Sequence, residues 1–181
     1  MQLTEARSLL FIPATAPHML AKSAQRGADA LVIDLEDAVP MDRKIEARQL
    51  MVQAVKRLAG QMPVLVRVNA PSNILCEDVA ALPLSLIKCV LLPKAESAEQ
   101  VKRLASLLEQ KSEKHAAPTP IAALIETPLG VVRAEQIATA HPSVVALGFG
   151  GEDYAVAMGI APKSESLLWP AQAVANCARA F

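Results

Sequence analysis

Six short apolar runs recur along the chain at intervals of about 23 to 33 residues: SLLFIPA, ALVIDLED, PVLVRVNA, CVLLPKAE, IAALIE and VVALGFG. Their length and β-branched content suit strands buried on both faces. They place strands at residues 8–14, 30–37, 63–70, 89–96, 121–126 and 144–150. The segments between them carry helix signals. Residues 41–58 read as one long amphipathic helix with Ile45, Val52 and Val55 inside and Asp42, Arg43, Lys44 and Glu46 outside. Ser97 with Gln100 makes a capping box for a helix to about residue 114. Thr127 and Pro128 open another as N-cap and first helical residue, and His141-Pro142 ends it. Strict alternation of strand and helix means a parallel sheet, either closed as a barrel or doubly wound. Pattern does not separate the two. A full eight-stranded barrel takes roughly 250 residues, so 181 residues by themselves favour the open sheet.

The chemistry gathers where the apolar runs stop. Glu126 ends the fifth strand, and Glu152 and Asp153 follow the sixth, with a short helix starting near Tyr154 on the GGED turn. In parallel α/β folds the carboxyl ends of the strands are where ligands bind, because loops and helix N-termini converge there. Two carboxylates at that edge read either as a solvated rim or as a cation site. Asp34 lies inside the second run, where an unpaired charge would cost several kcal/mol. A salt bridge to an arginine on a neighbouring strand accounts for it, whereas Glu36 and Asp37 mark the strand's end. Arg67 and Asn69 share a face of the third strand by alternation. An arginine there needs a carboxylate of the protein or of a ligand, and its planar fork suits a two-pronged grip. Beside acids on other strands, substrate is the expected partner. Lys94, at the end of the fourth strand, reads as an ion-pair partner, an anion ligand or a Schiff-base nucleophile, the first being the plainest. His18 and Lys22 fall four apart in the helix expected between Thr15 and Gly27. They form a solvated face or a cationic rim suited to phosphates.

Composition excludes several classes. Mean hydropathy of +0.30 and 52% hydrophobic residues are high, yet no apolar run approaches the roughly 20 residues that span a bilayer. The polar start, Met1 to Arg7, does not read as a signal peptide, so the expectation is a cytoplasmic protein with no membrane partner. Zero net charge and 3% aromatics argue against nucleic acid. Cys76, Cys89 and Cys177 are too few and too scattered for a disulfide framework or a zinc site. No interdomain linker is visible, so residues 1–181 read as one domain.

Taken together, RSLLFIPATAP, GADALVIDLEDAVP, VLVRVNAP, VLLPKAES, ALIETPLGV and ALGFGGEDYAVAMG resemble, in this order and spacing, the citrate lyase beta-subunit-like family of citryl-CoA and malyl-CoA lyases. The resemblance covers nearly the whole chain. It implies a (β/α)8 TIM barrel of which this chain carries about six β/α units, and a homo-oligomer. It also implies Mg2+-dependent cleavage or formation of a carbon–carbon bond between an acyl-CoA and a 2-oxo acid. Residue by residue, it implies Mg2+ on Glu126 and Asp153, with Glu126 reaching the substrate through the metal, and the 2-oxo acid carboxylate held by Arg67; backbone N–H groups of the Gly150-Gly151-Glu152 turn suit the same carboxylate. Phe11, His18 and Lys22 would lie beside the CoA thioester. The family's acid/base comes from a later segment, so no catalytic acid/base is implied within these residues. Three other readings stay open: a metal-dependent aldolase acting on free 2-oxo acids, a non-catalytic remnant or binding subunit, and Schiff-base chemistry through Lys94.

Overall fold

The computed structural model describes residues 6–112, 117–163 and 165–181. Six strands form one parallel sheet: β1 (Leu9–Pro13), β2 (Ala30–Asp34), β3 (Val64–Arg67), β4 (Cys89–Leu92), β5 (Ile121–Ile125) and β6 (Val144–Phe149). The helices are α1 (Pro17–Ala21), α2 (Lys44–Leu58), α3 (Ser72–Ala81), α4 (Ala98–Lys111), α5 (Pro128–Val132), α6 (Ala134–Ala138), α7 (Gly151–Met158) and α8 (Leu168–Ala180). The strands are shorter than the apolar runs that predict them. Glu36, Asp37, Lys94 and Glu126 therefore lie just beyond strand ends rather than inside strands.

Strand order settles what length did not. The order is β1-β2-β3-β4-β5-β6, each strand paired to its sequence neighbours. A doubly wound sheet reverses direction at a switch point; this one never does. Sequential parallel order is the wall of a barrel, and the open sheet favoured by length is excluded. The two faces differ accordingly. Leu31, Ile33, Val66, Val90, Ile121 and Ile125 point into the large core shared with the helices. Ala30, Val32, Leu65, Cys89, Leu91 and Ala122 form a smaller cluster on the opposite, concave face. On β1, Leu9 and Phe11 alternate with the buried Ile12 and are each 43% exposed.

Local chemistry explains the starts of α4 and α5. Ser97 accepts from Gln100 N–H while the Gln100 side chain accepts from Ser97 N–H, completing the expected capping box of α4. Its expected end near residue 114 lies outside the described residues. Thr127 Oγ1 accepts from Gly130 N–H at 3.1 Å, and Pro128 opens α5. The helix expected from there to His141 breaks at Arg133 into α5 and α6.

Two expectations need correction. The helix after β1 is a single turn capped without a side chain at Ala16, followed by a 3-10 turn at Ser23–Gln25. Lys22 is its C-cap, so His18 and Lys22 do not share a continuous helical face. In α2 the register differs from the expected stripe. Ile45 is 69% exposed and Lys44 is buried, because the Lys44 ammonium donates to the carbonyls of Leu35 and Glu36 at 2.6 and 2.7 Å. An ion under the end of β2 outweighs the apolar pattern there.

Candidate functional site

At the carboxyl edge of the sheet, Asp34 and Arg67 meet directly, in register on β2 and β3. Arg67 Nε and Nη2 donate to the two oxygens of Asp34 at 2.7 and 2.8 Å. Asp34 also accepts from the N–H groups of Glu36 and Ala38, which folds the β2 loop back over the strand. Asp34 is therefore the structural partner that sequence reasoning assigned it. For Arg67 the structure narrows the expectation: one edge of its fork is taken by a protein carboxylate. Its Nη1 lies 3.2 Å from Glu36 Oε2, within ion-pair distance. The Phe11 ring lies against the guanidinium, 5.5 Å from ring centre to Cζ, a cation–π contact. Phe11 thus sits on the concave face beside Arg67, whereas His18 in α1 and Lys22 at its C-cap are exposed.

Asn69 turns away from the site. Its amide donates to Leu35 O and to Asp78 Oδ2, and Asp78 in turn accepts from Arg48 Nε. This buried network ties the end of β3 to α2 and α3. Neither Arg48 nor Asp78 was visible to sequence reasoning as a partner, since both sit in ordinary helical positions.

Lys94 links the two sides of the site. Its ammonium contacts Glu36 Oε1 at 2.6 Å and both oxygens of Asp37 at 2.8 and 2.9 Å. Its backbone N–H donates to Glu126 Oε2 at 2.7 Å. That donation uses a left-handed backbone, φ +49°, the one non-glycine case among the described residues; such a conformation costs about 1 to 2 kcal/mol. Partial burial alone would lower the ammonium's pKa, but Asp37 and Glu36 hold it above its ordinary value. Schiff-base lysines need the opposite shift, so Lys94 is an ion-pair partner rather than a nucleophile.

Glu126 is 4% exposed. Burial pushes its pKa up to about 7, and the nearby charges of Asp153 and Glu36 push the same way against the Lys94 N–H and Arg67. The register shift between β5 and β6 near Ile121 aligns Ala146 and Gly148 with Ala122 and Leu124, which brings Gly150 onto Glu126. A Cβ at Gly150 would lie 2.5 Å from Glu126 Cγ, so a side chain there would displace the carboxylate. Asp153 is half-buried in the first turn of α7. The helix's leading N–H groups, at Gly151, Glu152 and Asp153, precede the first intrahelical bond, Tyr154 N–H to Gly150 O.

Charge tests whether this donor set suits a metal. Lys44, Arg67 and Lys94 face Asp34, Glu36, Asp37, Glu126 and Asp153. Three cations against five carboxylates leave two negative charges, centred on Glu126 and Asp153. One divalent cation neutralises them. Among the described residues no cluster of three or more metal-ligating side chains is gathered. Mg2+ is commonly held by one or two carboxylates and completes its shell with water and substrate oxygens.

A sequentially ordered parallel barrel wall, with Glu126, Asp153 and the forked Arg67 at its carboxyl edge, defines a TIM-barrel class of protein. The particular family follows from comparison. Residues 7–181 match the family model described as HpcH/HpaI aldolase/citrate lyase, and the chain belongs to that family. Citrate lyase subunit beta of Leuconostoc mesenteroides is 32% identical over 96% of this chain and 60% of its own length. A (3S)-malyl-CoA thioesterase of Cereibacter sphaeroides is 36% identical over 82% of this chain and 50% of its own. The citrate lyase beta subunit of M. tuberculosis, solved with oxaloacetate and magnesium, superposes with a TM-score of 0.77 at 30% identity, covering 100% of this chain and 78% of that one. The chain spans about half to 60% of the length of these curated relatives.

Proposed function

We propose that this chain carries the metal- and oxo-acid-binding part of a Mg2+-dependent carbon–carbon lyase. Its substrate class is a 3-hydroxyacyl-CoA of the citryl-CoA or malyl-CoA type, and its products are an acyl-CoA and a 2-oxo acid. The observation that carries this reading is the buried Glu126 carboxylate, raised in pKa beside Asp153 at the carboxyl edge of a barrel wall. Relatives solved with magnesium and oxaloacetate, and with magnesium, acetoacetate and coenzyme A, support the ligand class.

In this reading Glu126 and Asp153 hold the metal, which when bound supplies Lewis-acid stabilisation of negative charge on the oxo-acid oxygens. The outward edge of Arg67 and the N–H groups of Gly151 and Glu152 hold the carboxylate of the 2-oxo acid. Phe11 lies against Arg67 and shields that edge from water while bordering the thioester. His18 in α1 and Lys22 at its C-cap, both exposed, meet the phosphates of CoA. Cleavage removes the substrate's hydroxyl proton, and the carbon–carbon electron pair goes to the thioester α-carbon as an enolate, which is then protonated. The group that moves those protons is assigned to no residue of this chain. Cytoplasmic location and a homo-oligomeric state belong to the same proposal. Among the described residues, no helix is long and apolar enough to cross a membrane.

The test is turnover of citryl-CoA and malyl-CoA by the full natural chain with Mg2+, with and without chelator. Metal-dependent release of a 2-oxo acid is expected. Cleavage of free 2-oxo acid adducts with no CoA requirement would replace this reading with the aldolase one. Gly150→Ala gives a narrower check. Its backbone, φ −92°, accepts alanine, so the fold is retained while Glu126 is displaced. Mn2+ binding by calorimetry is expected to weaken about tenfold or more.

A further inference from the structure

We propose that Lys94 is the positioning residue that keeps Arg67 open to a ligand carboxylate, by holding Glu36, already within ion-pair distance of Nη1, short of a closed hydrogen bond. The inference rests on the oxo-acid site just described and goes beyond it in assigning what protects that site. Arg67 is enclosed on most sides, with Asp34 along its Nε/Nη2 edge and Phe11 over its face. Its outward Nη1 lies 3.2 Å from Glu36 Oε2. Yet that oxygen, although buried, has no hydrogen-bond partner. A carboxylate so near a guanidinium normally closes into a charge-assisted bond. Here the other oxygen, Oε1, is held at 2.6 Å by the Lys94 ammonium, which Asp37 anchors from the far side.

The backbone makes the arrangement stiff. Lys94 N–H is bonded to Glu126 and its ammonium to both oxygens of Asp37, so the lysine is held at both ends. Without the ammonium, Glu36 turns onto Nη1 and seals the last free edge of Arg67 with a protein carboxylate. The 2-oxo acid is then excluded by competition, while the metal carboxylates keep their places.

Direct titration of the full chain with Mn2+, then with oxaloacetate in the presence of Mn2+, tests this. Lys94→Met is expected to bind oxaloacetate about tenfold more weakly or worse and to retain Mn2+ binding. The double variant Lys94→Met/Glu36→Gln is expected to recover wild-type oxaloacetate binding to within about threefold, since a neutral amide no longer competes for the guanidinium. Wild-type affinity in Lys94→Met overturns the inference. So does a weakened affinity that Glu36→Gln fails to restore, because Lys94 then acts through something other than Glu36. If Lys94→Met does not fold, Glu36→Gln alone decides: affinity equal to or above wild type supports the inference, and weaker binding overturns it. A wild-type chain that binds Mn2+ but no oxaloacetate overturns the underlying functional reading instead.

Discussion

Glu126→Gln is expected to lower divalent-cation affinity about 100-fold or more and to remove any metal-dependent turnover, because it takes away one of two charged ligands. The same substitution has a second, opposite expected effect. In the metal-free protein Glu126 has a folded-state pKa of about 7 against an ordinary value of 4.5, chiefly because it is buried. The folded state therefore binds more protons than the unfolded state between those pH values, and stability falls as pH rises through that window. Below it both states are protonated, and above it the loss is complete. Glutamine carries no charge, so the variant is expected to melt higher than the wild type at pH 8 with chelator present and to match it near pH 4. Added Mg2+ is expected to reverse the order at pH 8. Thermal melts across pH, with and without chelator, check both signs. A wild-type melting temperature that rises between pH 5 and pH 7 without metal would contradict the assignment of Glu126 as a buried, metal-compensated carboxylate.

Asp34→Ala is expected to cost about 3 to 5 kcal/mol, the range for breaking a buried pair from one side. It leaves the Arg67 guanidinium without its two-pronged partner and the loop N–H groups of Glu36 and Ala38 without an acceptor. Arg67→Lys acquires a stability cost for the same reason: lysine cannot bind both oxygens of Asp34. Replacing both residues with apolar groups of similar size is expected to cost less than Asp34→Ala alone, since no buried charge is then stranded. Urea denaturation of the three variants measures this. A loss in Asp34→Ala below about 1 kcal/mol, the ordinary worth of an exposed pair, would show that water reaches the pair.

Much of this was legible because it is local. The six apolar runs are strands, since a stretch of β-branched residues four to eight long has few other uses. Ser97 with Gln100, and Thr127 with Pro128, cap their helices through contacts three residues apart. Glu36, Asp37, Lys94, Glu126 and Asp153 stand at one edge of the sheet because every strand points the same way. The misplaced features depend on what a residue meets from elsewhere in the chain. Lys44 reads as a surface residue until the carbonyls ending β2 are seen above it. Thr15 and Gly27 suggest a long first helix, which the fold cuts to one turn.

The alternating strand and helix pattern determined a parallel α/β chain with carboxylates, an arginine and a lysine at the carboxyl ends of its strands, because periodicity and strand direction are properties of the backbone. Only the tertiary structure decided that the sheet runs in sequential order as a barrel wall, that Asp34 takes one edge of Arg67, and that Lys94 joins Glu36 and Asp37 to Glu126. Which charges pair is set by distances between strands and loops far apart in sequence, 33 residues for Asp34 and Arg67 and 58 for Glu36 and Lys94, and no local pattern encodes those.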